Sequence, residues 1–244
     1  MSAYDQFIAV VQHQLKNVET TQRPAIEQAA HWVAEALARD RFLWAFGTGH
    51  SHMVAEEIFY RAGGLARGAP ILEPKLMLHE QAIEATYLER RSGYAREILA
   101  QHPLAAGDVL VVASNSGRNA VPIEMALGGQ ALGLKVIGIT NLTQSRQWPS
   151  RHASGKRLFE VVDLPIDTCG IDGDAAITLE GFPHRVGPPS SLTGLMIINL
   201  MVVQAIEYCV QAGHPPEVYI SSNTQGDDHN NRLLEKYRTH IRHL

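Results

Sequence analysis

The chain has 244 residues, 45 % hydrophobic and 19 % charged, a mix that excludes a disordered polypeptide and bounds it to one large or two small globular units. With 21 Lys and Arg against 25 Asp and Glu, the net charge is −4, without the basic excess that general binding to nucleic-acid phosphates requires. Two cysteines, Cys169 and Cys209, make no disulfide framework and fit a reducing cytoplasm, and Met1–Gln6 carries no basic segment leading into an apolar one.

In chain order, the first forty residues read as two helices. Phe7, Val11, Leu15 and Val18 share one helical face, as do Ile26, Ala30, Val33 and Leu37, with Pro24 in the first turn of the second. From Arg41 the pattern changes to short apolar runs that suit buried strands: Phe42–Phe46, Asp108–Ala113, Lys135–Thr140 and Phe159–Leu164. Ala175–Leu179 is a further strand candidate, and the run around Ile71–Leu72 a weaker one. Helical stretches fall between them at Met53–Ala62, Tyr94–Ala100 and Val121–Leu132. Alternating strands and helices predict a parallel sheet covered on both faces. The organisation expected is one unit over residues 1–244: a helical extension over 1–40, an α/β core over 41–213, and a C-terminal tail and helix over 214–244. Leu195–Ile206 is apolar on all faces but too short to span a bilayer, so a core or an oligomer interface is its expected place.

Two strand ends carry unusual loops. The first strand runs into Gly47-Thr48-Gly49-His50-Ser51-His52, and the strand from Asp108 into Ser114-Asn115-Ser116-Gly117-Arg118-Asn119. Glycines let the backbone approach a ligand, while small hydroxyls and helix N-terminal amides donate to an anion. His52 stands where a dinucleotide fingerprint needs its third glycine, and no Gly-Lys-Ser/Thr follows, so neither a nicotinamide site nor a P-loop is expected. Taken alone, the first loop is either half of a phosphate cradle or a tight strand–helix turn with Ser51 as a cap.

Together, the two loops resemble the marks of the sugar isomerase (SIS) domain family: a Gly-x-Gly-x-Ser turn after the first strand and a Ser-x-Ser-Gly-x-Thr loop after a later one. Asn119 stands here where threonine is usual. The order of elements agrees as far as Gly187-Pro188-Pro189-Ser190-Ser191, which opens the long last helix. The resemblance, to stand-alone proteins of phosphoheptose isomerase type, implies a flavodoxin-like parallel sheet of about five strands. It also implies a phosphorylated sugar as partner, no cofactor, and a homodimer or homotetramer with sites at the subunit boundary. By the same resemblance Ser51, Ser114, Ser116 and Asn119 hold the phosphate, with the amides of Gly49, Asn115 and Gly117 as helpers. Gly47, Thr48 and His50 of the first loop complete the ten residues expected to bind the phosphate.

Aldose–ketose isomerisation needs a base beside the reacting carbon and a group that handles the oxygen protons; carboxylates and histidines suit both tasks. Glu57 lies on the helix after the first loop, on the face where phosphoheptose isomerases carry a catalytic glutamate about one turn further on; Arg61 occupies that further position here. Glu57 is either catalytic or paired with Arg61. His79-Glu80 is either an acid–base pair or a surface pair at a helix start. The polar tail Ser221–Asn231 holds His229, the expected general acid–base delivered to a partner subunit's site, with Asp227 or Asp228 to orient it. The oxygen-rich run Asp167–Asp174 lacks the spacing of a calcium loop, and His50 with His52 lacks a defined third ligand, so no metal is expected. An isomerase is the leading expectation. A sugar-phosphate lyase or etherase and a non-catalytic phosphosugar sensor or scaffold are the alternatives, and no membrane or nucleic-acid partner is expected.

Overall fold

The structure is a computed structural model, and it describes residues 1–224 and 226–244. Five strands form one parallel sheet: β1 (Leu43–Gly47), β2 (Gly68–Ile71), β3 (Val109–Ala113), β4 (Lys135–Thr140) and β5 (Leu164–Asp167), in the order β2-β1-β3-β4-β5. Both faces are covered, which is why the central strands are apolar without alternation. Trp44, Phe46, Leu110 and Val112 point into one core with α5 (Tyr94–Leu99) and α6 (Ala120–Ala131). Leu43, Ala45, Val109 and Val111 point into the other, with α2 (Arg23–Ala38) and α8 (Ser190–Gln211). At the base of the sheet the buried carboxylate of Asp108 accepts from Trp44 Nε1 (2.9 Å), Phe42 N (3.0 Å) and Ala105 N (2.9 Å), fixing the start of β1 against that of β3.

The N-terminal pair consists of α1 (Ala3–Thr21) and α2, separated only by Gln22. It is more than a covering layer. Gln22 Oε1 accepts from Asp167 N (3.0 Å) and the buried Gln14 donates to Thr168 O (3.2 Å), so the helices satisfy backbone groups at the end of β5. By length and composition α8 is apolar enough to cross a membrane, yet Ile197, Ile198, Met201, Val202 and Ala205 are buried inside the fold. Its opposite face leaves Leu192, Leu200, Val203 and Val210 exposed.

Two strand expectations are corrected. The run Phe159–Leu164 is a 3-10 turn (Leu158–Glu160) and a bend; its apolar Leu158 and Val161 pack under the sheet, and the strand begins only at Leu164. Ala175–Leu179 forms no strand, contributing a single bridge from Ile177 to Val186 in an irregular excursion between β5 and α8. Conversely, β2 is a full member of the sheet. Both edge strands carry a proline, Pro70 and Pro165, which an edge tolerates because one side of its backbone needs no ladder partner.

The turn out of β1 depends on Gly47, where a Cβ atom would lie 2.2 Å from the Ser51 carbonyl oxygen. Gly47→Ala is expected to cost about 3 kcal/mol, the upper end for overpacking. Gly155→Ala, with nothing within 4 Å and only a left-handed φ of +71° to strain, should cost about 1 kcal/mol. Urea midpoints check the difference, and equal shifts would show that the Gly47 contact does not constrain the turn.

Candidate functional site

The sheet order reverses between β1 and β3, and ligands of open α/β sheets bind beyond the strand ends at such a point. Gly47 and Ala113 are register partners, so the two glycine- and serine-rich loops leave the sheet side by side. In the first, Gly49 adopts a left-handed φ of +56°, Gly49–Ser51 make one 3-10 turn, and α3 (His52–Glu57) follows. The Ser51 hydroxyl makes no capping bond to α3. In the second, Gly117 sits at φ +59° with Thr140 Oγ1 and Ser145 Oγ at 2.7 and 2.9 Å from where a Cβ would be, so only glycine fits. Gly117 N donates to Ser114 Oγ (3.2 Å), and Asn141 N to the Asn115 carbonyl (3.0 Å), binding this loop to the end of β4.

The loops enclose a cavity of about 270 Å³. Of the ten residues expected to bind phosphate, seven line it: Thr48, His50 and Ser51 from the first loop, Ser114, Asn115, Ser116 and Asn119 from the second. Gly47, Gly49 and Gly117 shape the turns without lining the cavity. The four expected acid–base residues lie elsewhere. Glu57, one helical turn beyond the lining Met53, accepts from Arg61 Nη1 (2.8 Å) and Asn199 Nδ2 (2.7 Å). His79 and Glu80 stand exposed in the first turn of α4 (Leu78–Leu88), 3.7 Å apart. His229, in the first turn of α9 (Asp227–Tyr237), donates Nε2–H to the Val218 carbonyl (2.9 Å). Of the polar tail, Gln225 lies outside the described residues. Among the described residues no three His, Cys, Asp or Glu side chains converge as a metal site would require.

Two carboxylates line the cavity, Glu89 and Asp174, and Glu89, just after α4, is the one that touches both loops. Thr48 Oγ1 donates to one of its oxygens and Asn119 Nδ2 to the other, both at 2.7 Å, so Glu89 ties the two loops together. Burial pushes its pKa above the ordinary carboxylate range; the Thr48 hydrogen bond and the charges of Arg90 and Arg151 act against that without cancelling it. A third wall comes from the end of β5 and the start of α8. Thr168 lines the cavity with a buried hydroxyl that has no hydrogen-bond partner among the described residues, and Asp174 accepts from Ser190 N (3.1 Å) and Oγ (2.6 Å). In sequence Glu89 is hidden in the run Leu88-Glu89-Arg90-Arg91, which reads as a solvated helix end. Its role follows only from the packing of α4 across both loops.

The family profile of the SIS domain matches residues 6–141. The chain belongs to the SIS domain family. A UPF0309 protein of Geobacillus thermodenitrificans is 40 % identical over 238 residues, covering 97 % of this chain and 96 % of that one. A UPF0309 protein of Halalkalibacterium halodurans is 44 % identical over 217 residues, covering 88 % and 87 %. These names state no activity. Among solved structures, phosphoheptose isomerases from Neisseria gonorrhoeae and Francisella tularensis share the fold. The first has a TM-score of 0.52 at 18 % identity, covering 81 % of this chain and 94 % of that one; the second has 0.53 at 16 %, covering 85 % and 100 %.

The Glu89 environment has a pH signature. A carboxyl whose folded pKa is raised binds more protons in the native state than in the unfolded one, so its stability contribution falls as pH rises from the ordinary carboxylate value through the raised one. Glu89→Gln removes that titration. Relative to the wild type, the variant should therefore gain stability from pH 4 to pH 7, and chemical denaturation at a series of pH values checks it. A difference independent of pH would mean that Glu89 ionises freely in the folded protein.

Proposed function

We propose that this SIS domain protein is a cytoplasmic sugar-phosphate isomerase. The observation that carries the reading is that both loops and one half-buried carboxylate meet in a single cavity at the reversal of the sheet. The phosphate is held by the hydroxyls of Ser51, Ser114 and Ser116 and by loop amides. Glu89 stands as the base that takes a proton from the carbon beside the carbonyl, giving an enediolate. Its raised pKa suits it to return that proton to the neighbouring carbon. His50, the one histidine lining the cavity among the described residues, is assigned to handle the oxygen protons. Thr168, Asp174 and Gln144 face the remainder of the sugar with donors and acceptors. The shared fold with the phosphoheptose isomerases supports this chemistry. The NanR protein of Vibrio vulnificus, of similar fold and described in complex with ManNAc-6P, favours phosphosugar binding without requiring turnover. It makes a non-catalytic sensor the second reading.

The exposed apolar face of α8 is assigned to a second copy in a homodimer or homotetramer. Val203 is 65 % and Val210 56 % exposed on one helix that also presents Leu192 and Leu200, a row of apolar side chains that water does not favour. Val203→Glu should shift the molar mass in light scattering to that of the monomer; an unchanged mass would remove α8 from the interface.

Incubation with a panel of sugar phosphates in deuterated water should show exchange at the carbon next to the carbonyl for at least one of them. Glu89→Gln should slow that exchange by about a hundredfold or more while leaving binding nearly intact. Ser116→Ala should weaken binding of the phosphorylated sugar about tenfold, the effect of one lost charge-assisted hydrogen bond. Binding without exchange would favour the sensor, and equal affinity for a sugar and its phosphate would overturn both readings.

A further inference from the structure

Among the described residues, the charged side chains that line the cavity, Glu89 and Asp174, are both acids, and no lysine or arginine lines it. A phosphate monoester carrying nearly two negative charges therefore meets a wall of neutral donors and two carboxyl groups. The cations stand just outside. Arg151 Nη1 donates to Asn119 Oδ1 (3.0 Å), the amide whose nitrogen side bonds Glu89. Arg151 N donates to the Arg118 carbonyl (2.7 Å), which fixes the segment carrying Arg151 against the second loop. The Arg118 side chain is held by its own Nε–H on the Pro149 carbonyl (2.9 Å) and lies 5.7 Å from the Trp148 ring.

Among the described residues these guanidiniums make no contact ion pair, and Glu89 acts on Arg151 only through its charge at longer range. No carboxylate lies within 4 Å of Arg90, Arg118 or Arg151 among the described residues. The sequence from Asn141 through Phe159 contains no acidic residue at all, while it carries Arg146, Arg151, Lys156 and Arg157. The segment is nevertheless fixed in place: Arg157 Nη1 donates to the carbonyls of Ser145 (3.1 Å) and Arg146 (3.0 Å). Arg151 itself is exposed, so moving its guanidinium from the Asn119 amide oxygen onto a bound anion needs side-chain rotation only.

We propose that Arg151, with Arg118 beside it, is the cationic half of the phosphate site and closes over the phosphate once it is seated between the two serine loops. This rests on the phosphosugar reading above and adds to it two residues outside both loop hydroxyl sets. Crowding supports it: slight desolvation and the positive charges of Arg118 and Arg90 outweigh the opposing charge of Glu89 and disfavour the charged form of Arg151, a cost that a bound dianion would relieve. The ligand chemistry is a phosphate dianion, free or esterified to a sugar.

The test uses inorganic phosphate and the panel of sugar phosphates, measured by calorimetric titration of the full chain. Arg151→Ala should weaken phosphate binding tenfold to a hundredfold, Arg151→Lys should recover part of the loss, and Arg118→Ala should weaken it several-fold, with melting temperatures in the absence of ligand unchanged. The loss on Arg151→Ala should be similar for inorganic phosphate and for whichever sugar phosphate binds. A loss confined to sugar phosphates would put the arginine on the sugar and overturn the proposal. If the wild type binds phosphate, Ser116→Ala weakens it and both arginine variants bind as the wild type does, the arginine closure is wrong while the phosphosugar reading stands. If neither phosphate nor any sugar phosphate binds the wild type, the reading fails and the closure fails with it.

Discussion

The site depends on one carboxylate holding two loops that the sheet only brings near each other. Parallel pairing of β1 with β3 sets Gly47 beside Ala113, but past those residues the ladder ends and each loop is free to diverge. Glu89 spans the gap, accepting from Thr48 on one side and Asn119 on the other at 2.7 Å each. A carboxylate suits this task because its two oxygens accept in different directions, and a buried hydroxyl or amide left without it would lose its partner. The backbone joins in: the Glu89 carbonyl accepts from Val121 N (3.0 Å), in the first turn of α6. The segment after α4 therefore fixes both the width of the cradle and the start of the helix behind it. In the proposed isomerisation the same group moves the proton, so support and reactivity would reside in one side chain.

What the sequence made legible was local. The loops show themselves because glycine at a left-handed or crowded position and small hydroxyls beside it are contiguous in the chain. The three central strands show themselves because burial on both faces writes an unbroken apolar run. The edges were harder. β2 and β5 are short, contain prolines, and are only partly apolar, and the stronger-looking run at Phe159–Leu164 is a turn whose apolar residues reach the core without pairing. Burial alone cannot distinguish a strand from a packed turn over six residues.

The carboxylate proposed as the base was the least legible part, for a reason of range. Glu57, His79, Glu80 and His229 stand out in sequence because they sit next to recognisable features, yet in the fold each is turned to a neighbour of its own. Glu57 is held by α8 through Asn199, and His229 by the Val218 carbonyl. Glu89 looks like any glutamate at a solvated helix end, and only its packing across both loops, some 41 residues from Thr48 and 30 from Asn119, makes it a site residue. The chemistry of a single residue type is visible in sequence, whereas its desolvation is not, and desolvation is what separates a reactive carboxyl from an ion-paired one.

Charge is segregated in the same way. The polar part of the cavity wall is hydroxyls, amides, His50 and two acids, and the basic residues stand outside it, Arg118 on the second loop and Arg151 on the acid-free stretch that follows β4. Such a division has a physical consequence for the proposed chemistry, in which a carboxylate must stay basic while a dianion is bound. A guanidinium in permanent contact with Glu89 would hold its pKa down and blunt it as a base. Arg151 is set one amide away, on the far side of Asn119, a position from which it would meet the anion as proposed while burial stays in control of the carboxyl. An asparagine at position 119 serves this separation better than a threonine would. Its amide accepts from the arginine with one end and donates to the glutamate with the other, roles that a single hydroxyl could not fill across the same span.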